Sequence, residues 1–204
     1  MQLESSSNGV TPLANLAEIR LGVAYRSRLD HDPSGDVAIL QMKDIDESVG
    51  PSYASATRAL LGDDKRHLLV REGDLVFRSR GRSTGAALVG PGAPPAILAA
   101  PLLLIRPRPI VLPEFLWWFI NSEDAQAQLA SVTVGTSVQM INAASLRSLQ
   151  VPVPPMEAQR RIAEVAQLVR HEEELMNQII MCRKQLTAHV LLNYARQGAK
   201  GVNR

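Results

Sequence analysis

Cysteine is nearly missing from this chain. Of 204 residues only Cys182 carries a thiol, so no intramolecular disulfide can form and no thiolate cage can hold a metal. The four histidines, His31, His67, His171 and His189, are scattered rather than set at ligand spacing, which removes the other common route to a metal centre. No run of about 18 apolar residues exists that could span a bilayer, so membrane insertion is not expected. The opening residues, Met1 to Gly9, have neither a basic start nor an apolar stretch; export by a signal peptide is therefore not expected, and the cytoplasm is the expected compartment. Catalytic motifs are lacking too. Gly81-Arg82-Ser83-Thr84-Gly85 does not end in the Gly-Lys-Ser/Thr of a phosphate loop, and Val153-Pro154-Pro155-Met156 has neither the polar lead nor the aromatic of a methyltransferase active-site motif. The chain is expected to be non-catalytic and to hold no cofactor or metal of its own.

Charge of one sign is not in surplus either. With 22 Lys+Arg against 20 Asp+Glu, the net charge of +2 is too small to announce nucleic-acid binding by itself. Its placement is uneven. Residues 1–155 hold 14 cationic and 15 acidic side chains, residues 156–204 hold 8 and 5. Within the first stretch cations bunch into Lys65-Arg66-His67 with Arg71, and into Arg78-Ser79-Arg80-Gly81-Arg82. Bunching of this kind suits a narrow contact strip better than a basic blanket.

What the sequence does contain is a sharp change of register at Pro154-Pro155. Before it lie short strand-like segments separated by Gly and Pro. After it runs one helical pattern from Met156 to about Arg196, with Pro155 at the tolerated start and Glu157 in the positive first turn. Ile162, Val165, Leu168/Val169, Leu175/Met176, Ile179, Cys182, Leu186 and Val190 recur at steps of three and four, and no Gly or Pro interrupts them before Gly198. Roughly 40 residues at about 1.5 Å each make a rod near 60 Å, longer than a domain of this size covers along its flank. The apolar stripe, Ile162, Val165, Val169, Leu175, Ile179, Leu186 and Val190 above all, is therefore expected to pair with a helix of another chain. Cys182, on the same side, reads as a packing residue. Glu172-Glu173-Glu174 weakens a strict heptad, so short-range packing is expected rather than a long regular coiled coil.

Ahead of the junction, residues 1–11 read as a flexible lead and Pro12 to Arg20 as an opening turn or short helix that Gly22 breaks. Strands are expected at Val37–Lys43, Leu75–Phe77, Gly85–Gly90, Ala96–Ala100 and Leu102–Pro107, with Gly73-Asp74 turning the chain into the second of these. Pro113 opens a helix expected to reach about Leu129, whose Phe115, Trp117, Trp118 and Phe119 are expected to fill the core. Val134–Asn142 reads as a Gly-containing polar loop in which Asn142 caps the turn of helix at Ser145–Leu149. Gln150–Pro154 reads as a final edge strand. The fold class is α+β: a mixed-sheet domain over 12–155, one long C-terminal α-helix over 156–196, and a tail over 197–204.

Several of these segments occur in a telling order. Leu16-Ala-Glu-Ile-Arg-Leu-Gly-Val23, Ala38-Ile-Leu-Gln-Met-Lys-Asp-Ile45, Glu72-Gly-Asp-Leu-Val-Phe-Arg-Ser-Arg-Gly81, Gly135-Thr-Ser-Val-Gln-Met-Ile141 and Leu149-Gln-Val-Pro-Val-Pro-Pro-Met-Glu-Ala-Gln-Arg-Arg-Ile-Ala163 together resemble the specificity (S) subunits of type I restriction-modification systems. The resemblance extends from about residue 12 to 195. It implies a target recognition domain that reads half of a bipartite sequence in double-stranded DNA. It also implies a helical region that docks methylation subunits, which would bring S-adenosylmethionine of their own, with a restriction subunit as a possible further partner. A full S subunit carries two such domains and two helices, so the resemblance implies a half-size form. Two copies about a two-fold axis, helices antiparallel, would restore the missing half and read an interrupted palindrome.

Where the resemblance places a DNA-facing loop stand Arg78, Arg80 and Arg82, followed by Ser83 and Thr84. Arginine bridges guanine O6 and N7 or clamps phosphate, and alternation sets the three arginines on one side. Gln41 with Lys43 makes a second candidate patch, and Ser137 with Gln139 a third. Two other functions remain open at this point: an assembly or regulatory homologue that no longer reads DNA but competes for the helices of other subunits, and a recognition-domain fragment of a fused restriction-methylation enzyme.

Overall fold

Strand β7 (Leu75–Arg78) sends alternate side chains to two different apolar clusters, and the rest of the fold follows from covering both. In this computed structural model residues 9–25, 31–81, 84–131 and 140–201 are described, and the chain divides into two units, residues 1–163 and 164–204. In the first unit β2 (Ala17–Leu21), β10 (Leu103–Pro107), β7 and β8 (Gly85–Leu88) form an antiparallel sheet in that order. Leu75, Phe77, Ala86, Leu103 and Ile105 enter one cluster; Val76, Ala87, Leu102 and Leu104 enter the other. A second sheet of three strands, β6 (Thr57–Ala59), β3 (Val37–Leu40) and β9 (Ala96–Leu98), supplies Ala38, Leu40, Ala96 and Leu98 to that second cluster. Its β3 and β9 run parallel while β3 and β6 run antiparallel, so the architecture is mixed, as the sequence predicts.

Helices cover the first cluster. The single turn α1 (Leu13–Leu16), α2 (Pro113–Ile120), α3 (Glu123–Ser131) and α4 (Ala143–Arg147) supply Leu13, Leu16, Phe115, Leu116, Leu129 and Leu146. A buried ion pair ties strand to turn on this scaffold. Arg106 donates from Nε to Asp74 Oδ1 at 2.7 Å and from Nη2 to Asp74 Oδ2 at 2.6 Å, while Asp74 Oδ2 also accepts the Arg71 N–H at 2.7 Å. The Asp74 hydrogen bond holds the Arg106 guanidinium above its ordinary pKa.

Several sequence expectations are corrected, and some strands end earlier than expected, β3 at Leu40 and β8 at Leu88. The opening helix is one turn rather than a run to Arg20, because Ala17–Leu21 is taken up as an edge strand by β10. Val10 and Thr11, expected in the lead, belong to a strand: β1 (Val10–Pro12) pairs antiparallel with β11 (Gln150–Pro152), whose backbone groups need a partner. The helix from Pro113 is two helices. Asn121 ends the first by donating from Nδ2 to Ala86 O at 2.9 Å and accepting the Ala86 N–H at 2.9 Å, and Ser122 starts the second by accepting the Ala125 N–H on its hydroxyl at 3.3 Å. Of the four aromatics, Phe115 and Phe119 are buried and Trp117 is half-buried. Trp118 is 38% exposed and leans on Phe115 at a ring separation of 5.8 Å. It falls on the solvent side because α2 offers the core only its 115, 116, 119, 120 stripe.

Asn142 does cap α4, accepting the Ser145 N–H at 2.8 Å, and the strand at Gln150 ends in the proline junction to α5 (Met156–Gly201). Helix α5 continues past Gly198, where the sequence suggested a stop near Arg196, since a glycine weakens a helix by about 1 kcal/mol without terminating it. Its first two turns lie in the first unit: Ile162 packs on the first cluster, and Gln159 is 1% exposed. Gln159 accepts the Leu112 N–H at 2.9 Å and donates to Pro154 O at 2.9 Å. In the second unit α5 is exposed along its apolar stripe, with Val165 60%, Val169 49%, Leu175 46%, Ile179 58%, Leu186 65% and Val190 43% accessible.

Gln159→Ala is expected to destabilise the first unit by about 1–3 kcal/mol, because it strands a buried amide N–H and a carbonyl oxygen without partners. Chemical denaturation followed by circular dichroism measures this, and an unchanged midpoint would contradict it.

Candidate nucleic-acid interface

The chain leaves the core at a single residue. Leu75, Val76 and Phe77 are wholly buried, Arg78 is half-buried, Ser79 is 2% exposed and Arg80 is exposed. Ser79 anchors the exit by donating from its hydroxyl to Pro101 O at 2.7 Å and accepting the Ile141 N–H on its backbone carbonyl oxygen at 2.7 Å. Arg80 forms an antiparallel bridge with Met140, and Gly81 follows at φ +127°, a conformation that a residue with a side chain rarely adopts. Gly81 thus turns the chain at the point where the strip reaches the surface.

Arg78 is not presented like Arg80. Its Nη1 lies 3.1 Å from Glu47 Oε1 and donates to Ile45 O at 3.5 Å, and the two charged side chains are only 22% and 23% exposed. Glu47 belongs to a small hairpin, β4 (Ile45–Asp46) and β5 (Gly50–Pro51), whose tip is tightened by Asp46 Oδ1 accepting the N–H groups of Ser48 and Val49. Thr84 is likewise engaged, its hydroxyl donating to Gln126 Oε1 at 3.1 Å. Arg78 and Arg80 thus differ in their surroundings, the first half-buried against Glu47 and the second exposed. Arg82 and Ser83 lie outside the described residues.

The second patch follows β3. Gln41 is half-buried and donates from Nε2 to Thr57 Oγ1 at 3.2 Å, while Lys43 is exposed, with Nζ 3.4 Å from Ser55 O. Between Lys43 and the hairpin stands Asp44, 2% exposed, which accepts the Gln41 N–H at 3.0 Å and the Ser55 hydroxyl at 3.3 Å. Asp44 pins the turn that delivers Lys43. Sequence reasoning missed both Asp44 and Glu47; an acid three residues after Gln41, positioned to close a capping box on the turn, was the available signal for the first. Ser137 and Gln139 of the third patch lie outside the described residues, but Met140, the next residue along, is the bridge partner of Arg80.

The first two patches are thus neighbours: Arg78 touches the hairpin that continues from Lys43, and Arg80 forms an isolated bridge with Met140. In the other cationic bunch Arg66 pairs with Asp63 at 2.7 Å within its own turn, while Lys65 and Arg71 are exposed. Among the described residues no cluster of His, Cys, Asp or Glu could hold a metal ion, and no helix is long and apolar enough to cross a membrane.

Gly85, the ladder partner of Arg78, makes the close approach of the hairpin possible. A Cβ there would lie 2.8 Å from both Glu47 Cγ and Asn121 Oδ1. Gly85→Ala is expected to cost about 1–3 kcal/mol by pushing the hairpin or α2 away, as overpacked sites do; thermal unfolding unchanged from the parent would contradict this.

Comparison with known proteins agrees with this architecture. No curated protein matches the chain. Among solved structures it is similar to the HsdS subunit from Thermoanaerobacter tengcongensis, at 16% identity and a TM-score of 0.59 over 86% of this chain and 42% of that one. The type I restriction-modification S subunit from M. genitalium matches at 17% identity and a TM-score of 0.55, over 90% of this chain and 45% of that one. A chain from a structure concerned with complex assembly and conformational transition of the type I R-M system matches at 17% identity and a TM-score of 0.61, over 85% and 42%. At these identities the likeness is one of fold, and this chain spans less than half the length of each. The family model for the type I restriction modification DNA specificity domain matches residues 7–181. With most of its length so matched, and with the mixed-sheet domain and long C-terminal helix that the solved S subunits resemble, the chain belongs to the type I restriction-modification DNA specificity domain family.

Proposed function

We propose that this chain is the address-reading component of a type I restriction-modification system. It recognises one half of a bipartite site in double-stranded DNA and positions methylation subunits, with their S-adenosylmethionine, at that site. It performs no methyl transfer or cleavage itself and works in the cytoplasm, where its DNA is. The observation that carries this reading is the convergence of the Arg80 bridge, the Arg78 strand end and the Lys43 turn on neighbouring loops of a domain of this family. Arg80 and Lys43 are the exposed cations of that set, and Arg82, Ser83, Ser137 and Gln139 complete the proposed contact surface. Phosphate contacts supply affinity and a salt dependence, and base-edge contacts supply preference.

Helix α5 supports pairing of two copies. Residues 164–174 carry four glutamates and one arginine, residues 175–182 carry no charge, and residues 183–204 carry five cations and no acid. Antiparallel pairing about a two-fold near Ile179 lays Glu172–Glu174 of one copy beside Arg183 and Lys184 of the other, and covers the apolar stripe. Parallel pairing would set like charges together. The same surface would serve a related S-type chain, and a dimer would present two identical domains to an interrupted palindrome.

Salt-dependent binding to duplex DNA tests the first claim. Arg80→Ala is expected either to weaken binding to its preferred site by about 1–3 kcal/mol and relax one base position, or to weaken all duplexes alike and reduce the salt slope by about one. If neither occurs, and the parent shows no salt-dependent binding, the chain is an assembly factor and not a DNA reader.

Ile179→Glu combined with Leu186→Glu is expected to give monomers, since burial of unpaired carboxylates costs several kcal/mol. Light scattering of the parent at tens of micromolar should show dimers; a monomeric parent would overturn the pairing.

A further inference from the structure

The Arg78–Glu47 pair joins more elements than an ordinary surface ion pair. Glu47 gives its carboxylate to Arg78 on β7 at 3.1 Å, and its carbonyl oxygen accepts the indole N–H of Trp117 on α2 at 3.2 Å. Its Cγ occupies the space left by the missing side chain of Gly85 on β8. Arg78 in turn donates to Ile45 O of the same hairpin. One residue of the hairpin is thereby fastened to a strand, a second strand and a helix of the main domain. Immediately beyond the fastening on either side lie exposed residues: Ser48 and Val49 at the hairpin tip, and Arg80 past the strand end.

We infer that Glu47 is a positioning residue, and that the Glu47–Arg78 clamp sets the distance between the 45–51 hairpin and the Arg80 loop, so that the two enter one DNA half-site in fixed register. Arg78 then holds the reading surface together and does not itself touch DNA. The inference rests on the DNA-reading function proposed above. Its energetic logic is preorganisation: two loops held in their bound spacing lose less freedom on binding, and only the duplex whose base edges match that spacing gains from it. Loosening the clamp removes discrimination and leaves phosphate attraction intact. A direct phosphate contact by Arg78 predicts the opposite, because removal of the Glu47 charge would then free a cation for DNA and strengthen binding to every sequence.

The test uses the full chain reconstituted with methylation subunits and a pool of random-sequence duplexes, sequenced after selection, with affinities for selected and unselected duplexes then measured across salt concentrations. Glu47→Gln keeps the shape of the side chain and removes its charge. It is expected to lower the preference for selected over unselected duplex by about tenfold, with affinity for unselected duplex and its salt slope unchanged. The charge exchange, Glu47→Arg with Arg78→Glu, is expected to restore the preference, which a direct contact by Arg78 would not allow. It also decides the matter should Glu47→Gln fold poorly. Unaltered preference in Glu47→Gln, or stronger binding to all duplexes alike, or loss of binding in the exchanged variant, overturns the clamp. A parent protein that selects no sequence overturns the DNA-reading function instead, and is recognised by the parent alone.

Discussion

Strand β7 is covered on both faces, because Leu75 and Phe77 enter one apolar cluster and Val76 enters another. That constraint requires a second sheet on one side and a layer of helices on the other, and both are present. Burial of three adjacent large side chains leaves no freedom in where the strand ends. Arg78 is consequently delivered to one place, beside Gly85, and the loop that follows starts from a rigid base. Functional loops gain precision from such a base, since an error of an ångström at the scaffold is carried to whatever the loop touches.

Cations in this domain divide by what faces them rather than by their number. Arg106 is neutralised by the buried Asp74, and Arg78 by Glu47 at the rim. Arg66 meets Asp63 in its own turn. Arg80 is exposed, and Lys43 is exposed with its Nζ 3.8 Å from Asp44 Oδ1. A nearly balanced net charge is compatible with the proposed polyanionic partner, because local placement of cations and not their total sets the attraction at a contact.

Helix α5 serves two purposes along its length. Its first turns are part of the recognition domain, where Gln159 satisfies backbone groups at Leu112 and Pro154. Beyond Ala163, in the second unit, its apolar residues are exposed, Val165, Ile179 and Leu186 among them.

Much of this was legible in the sequence. The junction at Pro154-Pro155, the strand at Leu75–Phe77 with its turn at Gly73, the Asn142 cap and the apolar period of α5 all depend on local chemistry, on proline's missing N–H, on glycine's freedom and on side-chain alternation. The ordered segments resembling S subunits pointed to the family. Tertiary structure alone decided three matters: that Asn121 breaks the Pro113 helix by reaching Ala86, that Ala17–Leu21 leaves helix for the edge of β10, and that Arg78 meets Glu47 while Arg80 remains exposed. Each joins residues more than 30 positions apart in the chain, and such contacts leave no periodic trace in the sequence. Local preference sets where elements begin and end. Which side chain meets which across the fold is set by packing, and it is there that Arg78 and Arg80 of one short strip were given different surroundings.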